Sequence, residues 1–262
     1  MRVIMFLVLT VLAALPARAR EVDLELVLAV DVSRSMSPAE LELQRRGYAE
    51  ALTSTAVAEA IEGGLLGRIA LTYIEWAGSD SQRVIVPWTE VSSPEGARDV
   101  ASRITAHYDD SLRRTSISSA LRFAAQSIET NGFEGLRRVI DVSGDGPNNM
   151  GPPVRAARDE VVAQGITING LPLMTQDALS EIWGIPDLDA FYAACVIGGP
   201  GAFVIPVTRW DAFPAAVTRK LVLEIAGLAA AQQVWRAQAP APYDCQVGEK
   251  MWQQNRSFFD IP

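Results

Sequence analysis

The pentapeptide Asp31-Val32-Ser33-Arg34-Ser35 sets a carboxylate and two hydroxyls at alternate positions directly after an apolar run. On a loop leaving a buried strand, such groups can converge on one point. Small, hard oxygen donors of this kind suit magnesium or manganese rather than zinc. An ordinary turn, with Asp31 capping backbone amides and Ser37 starting a helix, accounts for the same residues. Two other places carry matching groups. Val139-Ile140-Asp141-Val142-Ser143 runs into Gly144-Asp145-Gly146, which puts the Asp145 carboxylate at the end of a second strand, with glycines allowing a tight turn. Thr115 precedes an amphipathic helix that starts near Ile117; its hydroxyl could face the same point or serve as the helix N-cap.

Catalytic arrangements fit these residues poorly. A phosphoryl-transfer aspartate at Asp31 would want a second acid where Ser33 stands. The only imidazole is His107, no serine sits in a Gly-x-Ser-x-Gly elbow, and no glycine-rich phosphate loop with its lysine is present. The expectation is therefore no catalytic residue and no enzyme.

The elements that must position these groups follow from periodicity. Near-continuous apolar or β-rich runs at 24–30, 68–75, 83–86, 139–143, 165–171 and 202–207 read as strands. Ser37-Pro38-Ala39-Glu40 is a capping box that opens a helix running to Gly63-Gly64. Ile117, Leu121, Ala124, Ala125 and Ile128 trace one apolar face, and further helices are expected at 95–107, 154–163, 187–195 and 211–226, the last stopping at Gly227. Strands apolar on both faces and separated by helices imply an α/β fold. Its doubly wound, mostly parallel central sheet is covered by helices on both faces, with one antiparallel edge strand from the hairpin around Ala77-Gly78-Ser79-Asp80. Ligands of such sheets bind beyond the carboxyl ends of the strands.

Asp31, Ser33 and Ser35 after the first strand, Thr115 before a central helix, and Asp145-Gly146 after a later strand together resemble a von Willebrand factor type A domain with a metal ion-dependent adhesion site. The resemblance covers about residues 22 to 230 and is greatest to secreted bacterial members. It implies a Rossmann-like fold and a Mg2+ or Mn2+ ion held by Asp31, Ser33, Ser35, Thr115 and Asp145, with the serine hydroxyls binding directly and the carboxylates largely through water. It further implies a protein partner presenting a carboxylate to the ion, and a site coupled to the helix at 211–226. A metal-dependent hydrolase and a structural domain with an unfilled metal site are the alternatives. One departure stands out: the family usually has small residues before the threonine, whereas Arg113 and Arg114 stand here. They could repel a cation, recognise an anionic ligand at the rim, or be solvated surface charges; Asn148 and Asn149 could also shape that rim.

Composition narrows the setting. The 262 residues carry 23 Lys+Arg against 31 Asp+Glu, a net charge of −8, and 49% apolar residues. That is enough for a core, and too acidic for a phosphate-tracking nucleic-acid surface. Arg2, the apolar run from Ile4 to Leu15 and Ala17-Arg18-Ala19 read as a signal peptide over 1–19, too short to span a bilayer. This predicts a periplasmic or secreted protein with a mature charge of −10, a domain over 20–230 and a C-terminal tail over 231–262. In an oxidising compartment Cys195 and Cys245 favour a disulfide that tethers this tail, against two unpaired thiols. Six tryptophans suggest core and edge packing or a contact surface, and the Met251-Trp252 segment either folds back under the bridge or offers a binding strip.

Overall fold

The computed structural model describes residues 19–106, 112–175, 184–227 and 243–259. The expected signal peptide, apart from Ala19, lies outside them, as do His107, Trp183 and Trp235. The strands are β1 (Arg20–Val22), β2 (Leu24–Asp31), β3 (Ile69–Trp76), β4 (Gln82–Val91), β5 (Phe133–Gly135), β6 (Arg138–Gly144) and β7 (Thr167–Pro172). Five of them form a sheet in the order β4-β3-β2-β6-β7. The β3–β4 pair is antiparallel and the others are parallel, as the sequence predicts. A short parallel pair, β1 with β5, stands apart.

The helices are α1 (Pro38–Leu52), α2 (Thr55–Glu62), α3 (Pro94–Ala106), α4 (Ile117–Glu129), α5 (Val154–Ala163), α6 (Leu188–Phe191), α7 (Phe213–Ala226) and α8 (Val247–Phe259). Alternation along β2 sends Leu24, Leu26, Leu28 and Val30 into one core, shared with α1, α2, α3 and α7. Val27 and Ala29 point into the other, shared with α4 and α5. Burying both faces fixes the strand register, because a one-residue slip would exchange the two cores.

Three expectations need correction. The helix opened at Ser37 does not run unbroken to Gly63. Thr53 returns its hydroxyl to Ala49 O at 2.9 Å, and Ser54 accepts from Val57 N at 3.3 Å, so adjacent hydroxyls end one helix and cap the next. The run at 202–207 is not a ladder strand. Val204 and Val207 touch β7 and its end only through isolated bridges to Gly170 and Leu173, and Pro206 has no N–H to extend the pairing. The helix at 187–195 is α6 followed by a π-helical turn, Tyr192–Val196. At the opposite edge β4 is longer than its apolar core suggests, and its pairing with β3 shifts register between Leu71 and Tyr73, beside Pro87.

Between the sheet and α7 lies a buried charge cluster. Lys220 Nζ is 2.7 Å from Asp141 Oδ1 on β6 and 2.5 Å from Glu224 Oε1, which also accepts from Asn169 Nδ2 on β7 at 2.8 Å. Two carboxylates share one ammonium away from water. Burial pushes the Glu224 carboxyl up to about 7, against the pull of Lys220. A carboxyl with a raised folded pKa binds its proton more tightly in the native state, so its contribution to stability falls as pH rises from its unfolded value towards 7. Glu224→Gln should therefore gain stability relative to the parent as the pH goes from about 5 to about 8 in urea denaturation. Lys220→Met, which leaves two carboxylates without their cation, should cost about 3–5 kcal/mol.

Candidate metal centre

Strands β2 and β6 run parallel with Val30 opposite Ser143, so their carboxyl ends emerge side by side. Asp31, the last residue of β2, is fully buried, and Asp145, just past β6, is nearly so. Asp31 Oδ1 accepts from Ser33 N at 2.7 Å, which turns the chain and sets Ser33 Oγ and Ser35 Oγ 3.1 Å apart. Ser35 Oγ in turn donates to Asp145 Oδ1 at 2.8 Å. The loop is pinned at both ends. Gln44 Nε2 of α1 donates to Asp31 O at 2.9 Å, and the Ser37/Glu40 capping box fixes where α1 begins.

Thr115 arrives on a third loop, where its N–H donates to Asn149 Oδ1 at 3.0 Å and its carbonyl accepts from Asn149 N at 2.9 Å. Ser116, not Thr115, is the N-cap of α4, accepting from Ser119 N at 3.4 Å. The capping duty weighed for the Thr115 hydroxyl is thus taken by its neighbour. Thr115, Ser33 and Ser35 line one cavity of about 490 Å³ with Arg113, Arg114 and Trp252. All five residues singled out by the motifs therefore meet at one sheet edge.

The donor set suits a hard divalent cation. Asp31 Oδ2 is buried with no hydrogen-bond partner among the described residues. Burial first, and then the nearby Asp145 carboxylate, push the Asp31 carboxyl well above the ordinary range. A cation beside both would remove that penalty. Among the described residues no group of three or more His, Cys, Asp or Glu side chains is placed to hold a metal, so an ion here would depend on the hydroxyls.

Several residues of the site could not be read from spacing. The Tyr192 hydroxyl is buried without a partner among the described residues, and a Cβ on Gly144 would sit 2.9 Å from it and 2.8 Å from Asp31 Oδ2. Burial, then the charges of Asp31 and Asp145, push the phenol well up. A disulfide joins Cys195, in the turn that carries Tyr192, to Cys245, just before α8. Helix α8 packs on the loop after β6: Asn148 Nδ2 donates to Glu249 Oε1 at 2.7 Å, and a Cβ on Gly248 would run into Asn148 O. Asn148 is fully buried and accepts from Ser118 N at 3.1 Å, so it braces the rim from behind. Arg113 stands exposed on the rim, while the Arg114 guanidinium lies 3.2 Å over the Trp252 ring. The tail thus folds back, with Trp252 facing the site.

The family described as "Protein of unknown function (DUF1194)" matches residues 21–229. The chain belongs to that family. Solved structures place this DUF1194 member in the von Willebrand factor type A fold. Proximal thread matrix protein 1 of the mussel byssus is 15% identical with a TM-score of 0.58, covering 79% of this chain and 49% of its own. A second structure of that protein, with a zinc-occupied metal ion-dependent adhesion site, is 16% identical with a TM-score of 0.55, again covering 79% and 49%. The pilus adhesin SpaC of Lactobacillus rhamnosus GG is 12% identical with a TM-score of 0.56, covering 79% of this chain and 31% of the adhesin. The chain spans half or less of the length of these proteins. No curated protein matches it.

The packing under Asp31 can be tested without any ligand. Gly144→Ala should destabilise the DUF1194 domain by about 1–3 kcal/mol through overpacking. Tyr192→Phe, which removes only a buried hydroxyl, should change stability by less than about 1 kcal/mol; chemical denaturation of both variants checks the contrast.

Proposed function

We propose that this protein is an exported, metal-dependent protein-binding module in which Asp31, Ser33, Ser35, Thr115 and Asp145 hold a divalent cation, Mg2+ or Mn2+, that takes a carboxylate from a protein partner. The observation that carries the reading is the Asp31 Oδ2 atom, buried and without a hydrogen-bond partner among the described residues, in a cluster whose other donors are hydroxyls and a second carboxylate. An adhesin and a matrix protein among the structural neighbours support a binding rather than a catalytic role. The zinc-occupied site in the mussel protein supports a divalent ion at this sheet edge.

Each residue has a defined task. Ser33 and Ser35 offer neutral oxygens, so they hold an ion without cancelling its charge. Asp31 and Asp145 supply the negative field, and their fixed positions at the ends of β2 and β6 keep them from closing over the ion. Thr115 contributes a hydroxyl from an independent loop. A hard cation bound there would supply an open coordination position for an incoming carboxylate. Nothing is cleaved in such a cycle. No helix among the described residues is long and apolar enough to cross a membrane, which is compatible with a periplasmic or secreted location.

Magnesium or manganese at about a hundredfold excess over Kd should stabilise the protein by about 2.7 kcal/mol, a rise in melting temperature of roughly 5–10 °C. Asp31→Ala should abolish that rise. Equal melting of parent and variant across a micromolar to millimolar titration would sink the metal assignment, and retention of envelope proteins on the immobilised protein unaffected by EDTA would sink the metal-dependent binding.

A further inference from the structure

The cavity over the candidate site is walled by cations, in a protein whose net charge is −8. Arg34 lies between the two serines and Arg113 two residues before Thr115. Both are exposed, and among the described residues neither guanidinium is engaged by a carboxylate. Some surface arginines elsewhere are neutralised, Arg122 by Glu160 at 2.7 Å, Arg138 by Glu129 at 2.7 Å and Arg103 by Asp99 at 2.6 Å, while Arg155 and Arg219 are, like Arg34 and Arg113, exposed with no ion pair among the described residues. Arg34 and Arg113 are set apart by their place, since both line the cavity where a ligand would enter.

Arg114 is held by its own device. It adopts φ 76°, a left-handed conformation unfavourable for a non-glycine residue, and its guanidinium stacks on Trp252. Trp252 is placed by α8, and α8 is fixed by the Cys195–Cys245 bridge and by the Glu249–Asn148 hydrogen bond. Trp252 and α8 lie beyond residue 229, outside the segment that matches the family, whereas the arginines lie within it. One carboxylate on a bound cation would leave Arg34 and Arg113 unneutralised beside it. An extended segment with acids at i and i+2 projects both onto the same face, and guanidinium groups pair with carboxylates through directed, charge-assisted hydrogen bonds.

Resting on the metal-dependent reading above, we propose that the binding surface has two contact points, the cation position and a cationic wall of Arg34, Arg113 and the Trp252-stacked Arg114, and that it fits an extended acidic protein segment presenting two carboxylates.

The test uses the full chain and fluorescein-labelled hexapeptides that carry two glutamates at i and i+2, one glutamate, or none, with anisotropy read in millimolar magnesium. The two-glutamate peptide should bind about tenfold more tightly than the one-glutamate peptide. Arg34→Gln/Arg113→Gln should erase that preference while leaving the magnesium-induced rise in melting temperature intact, and Cys195→Ser/Cys245→Ser should reduce it by loosening α8. Equal binding of the two acidic peptides, a preference that survives the arginine substitutions, or no binding by a protein that still responds to magnesium overturns the two-point surface and leaves the metal reading standing. Arginine-dependent preference for two acids without any magnesium response supports the cationic wall and removes the metal reading instead.

Discussion

Two carboxylates, Asp31 and Asp145, are delivered to one buried spot by two parallel strands that hydrogen-bond to each other. Neither can retreat, because β2 is the middle strand of the sheet and β6 is its immediate neighbour. Like charges out of water raise each other's energy, and much of the surrounding structure answers that constraint. Ser33 N and Ser35 Oγ donate to the two acids. Gln44 ties the Asp31 carbonyl to α1, and Asn149 holds the Thr115 loop alongside. Among the described residues, the inner oxygen of Asp31 is left without a hydrogen bond.

The same sheet carries a second buried acid cluster one layer down, and the two are handled differently. Asp141 points to the opposite face from the site and meets Lys220 and Glu224 of α7. There the compensating charge is covalently part of the chain, and a proton on Glu224 near neutral pH balances the remainder. At the sheet edge no lysine is supplied. A resident ammonium would fill the space between the acids, whereas hydroxyls leave it open. One chain thus treats internal carboxylates in two ways: a permanent partner that locks a helix to the sheet, and hydroxyls that leave the space between the acids open.

Legibility in the sequence tracked the range of the interactions. Asp31, Ser33 and Ser35 were readable because their spacing and the strand before them lie within a dozen residues. Thr115 and Asp145 were readable because each marks the junction of a strand or helix with a loop. The layered sheet followed from strands such as 24–30 that are apolar on both faces. Tyr192 and Glu249 left no such trace, since each reaches the site through tertiary packing and a disulfide spanning 50 residues, and for Trp252 the sequence left open whether its segment folds back or offers a binding strip. The division of labour between Thr115 and its capping neighbour Ser116 was equally hidden, because adjacent hydroxyls look alike until the helix start is fixed. The break at Thr53-Ser54 and the irregular run ending at Val207 show local hydroxyls and a proline overriding patterns that periodicity alone would extend.

Both borders of the sheet are also worth considering for how the molecule meets others. At one border, β4 carries Pro87 beside a register shift and sets Arg83 against Glu75. At the other, β7 is shadowed by the stretch around Val204 and Val207, which takes up backbone groups that would otherwise be open. Strand addition and edge-to-edge stacking need an open, flat run of unpaired amides. Among the described residues, Pro87 interrupts that run on β4 and the stretch at 203–207 covers it on β7, so backbone templating is discouraged at both borders.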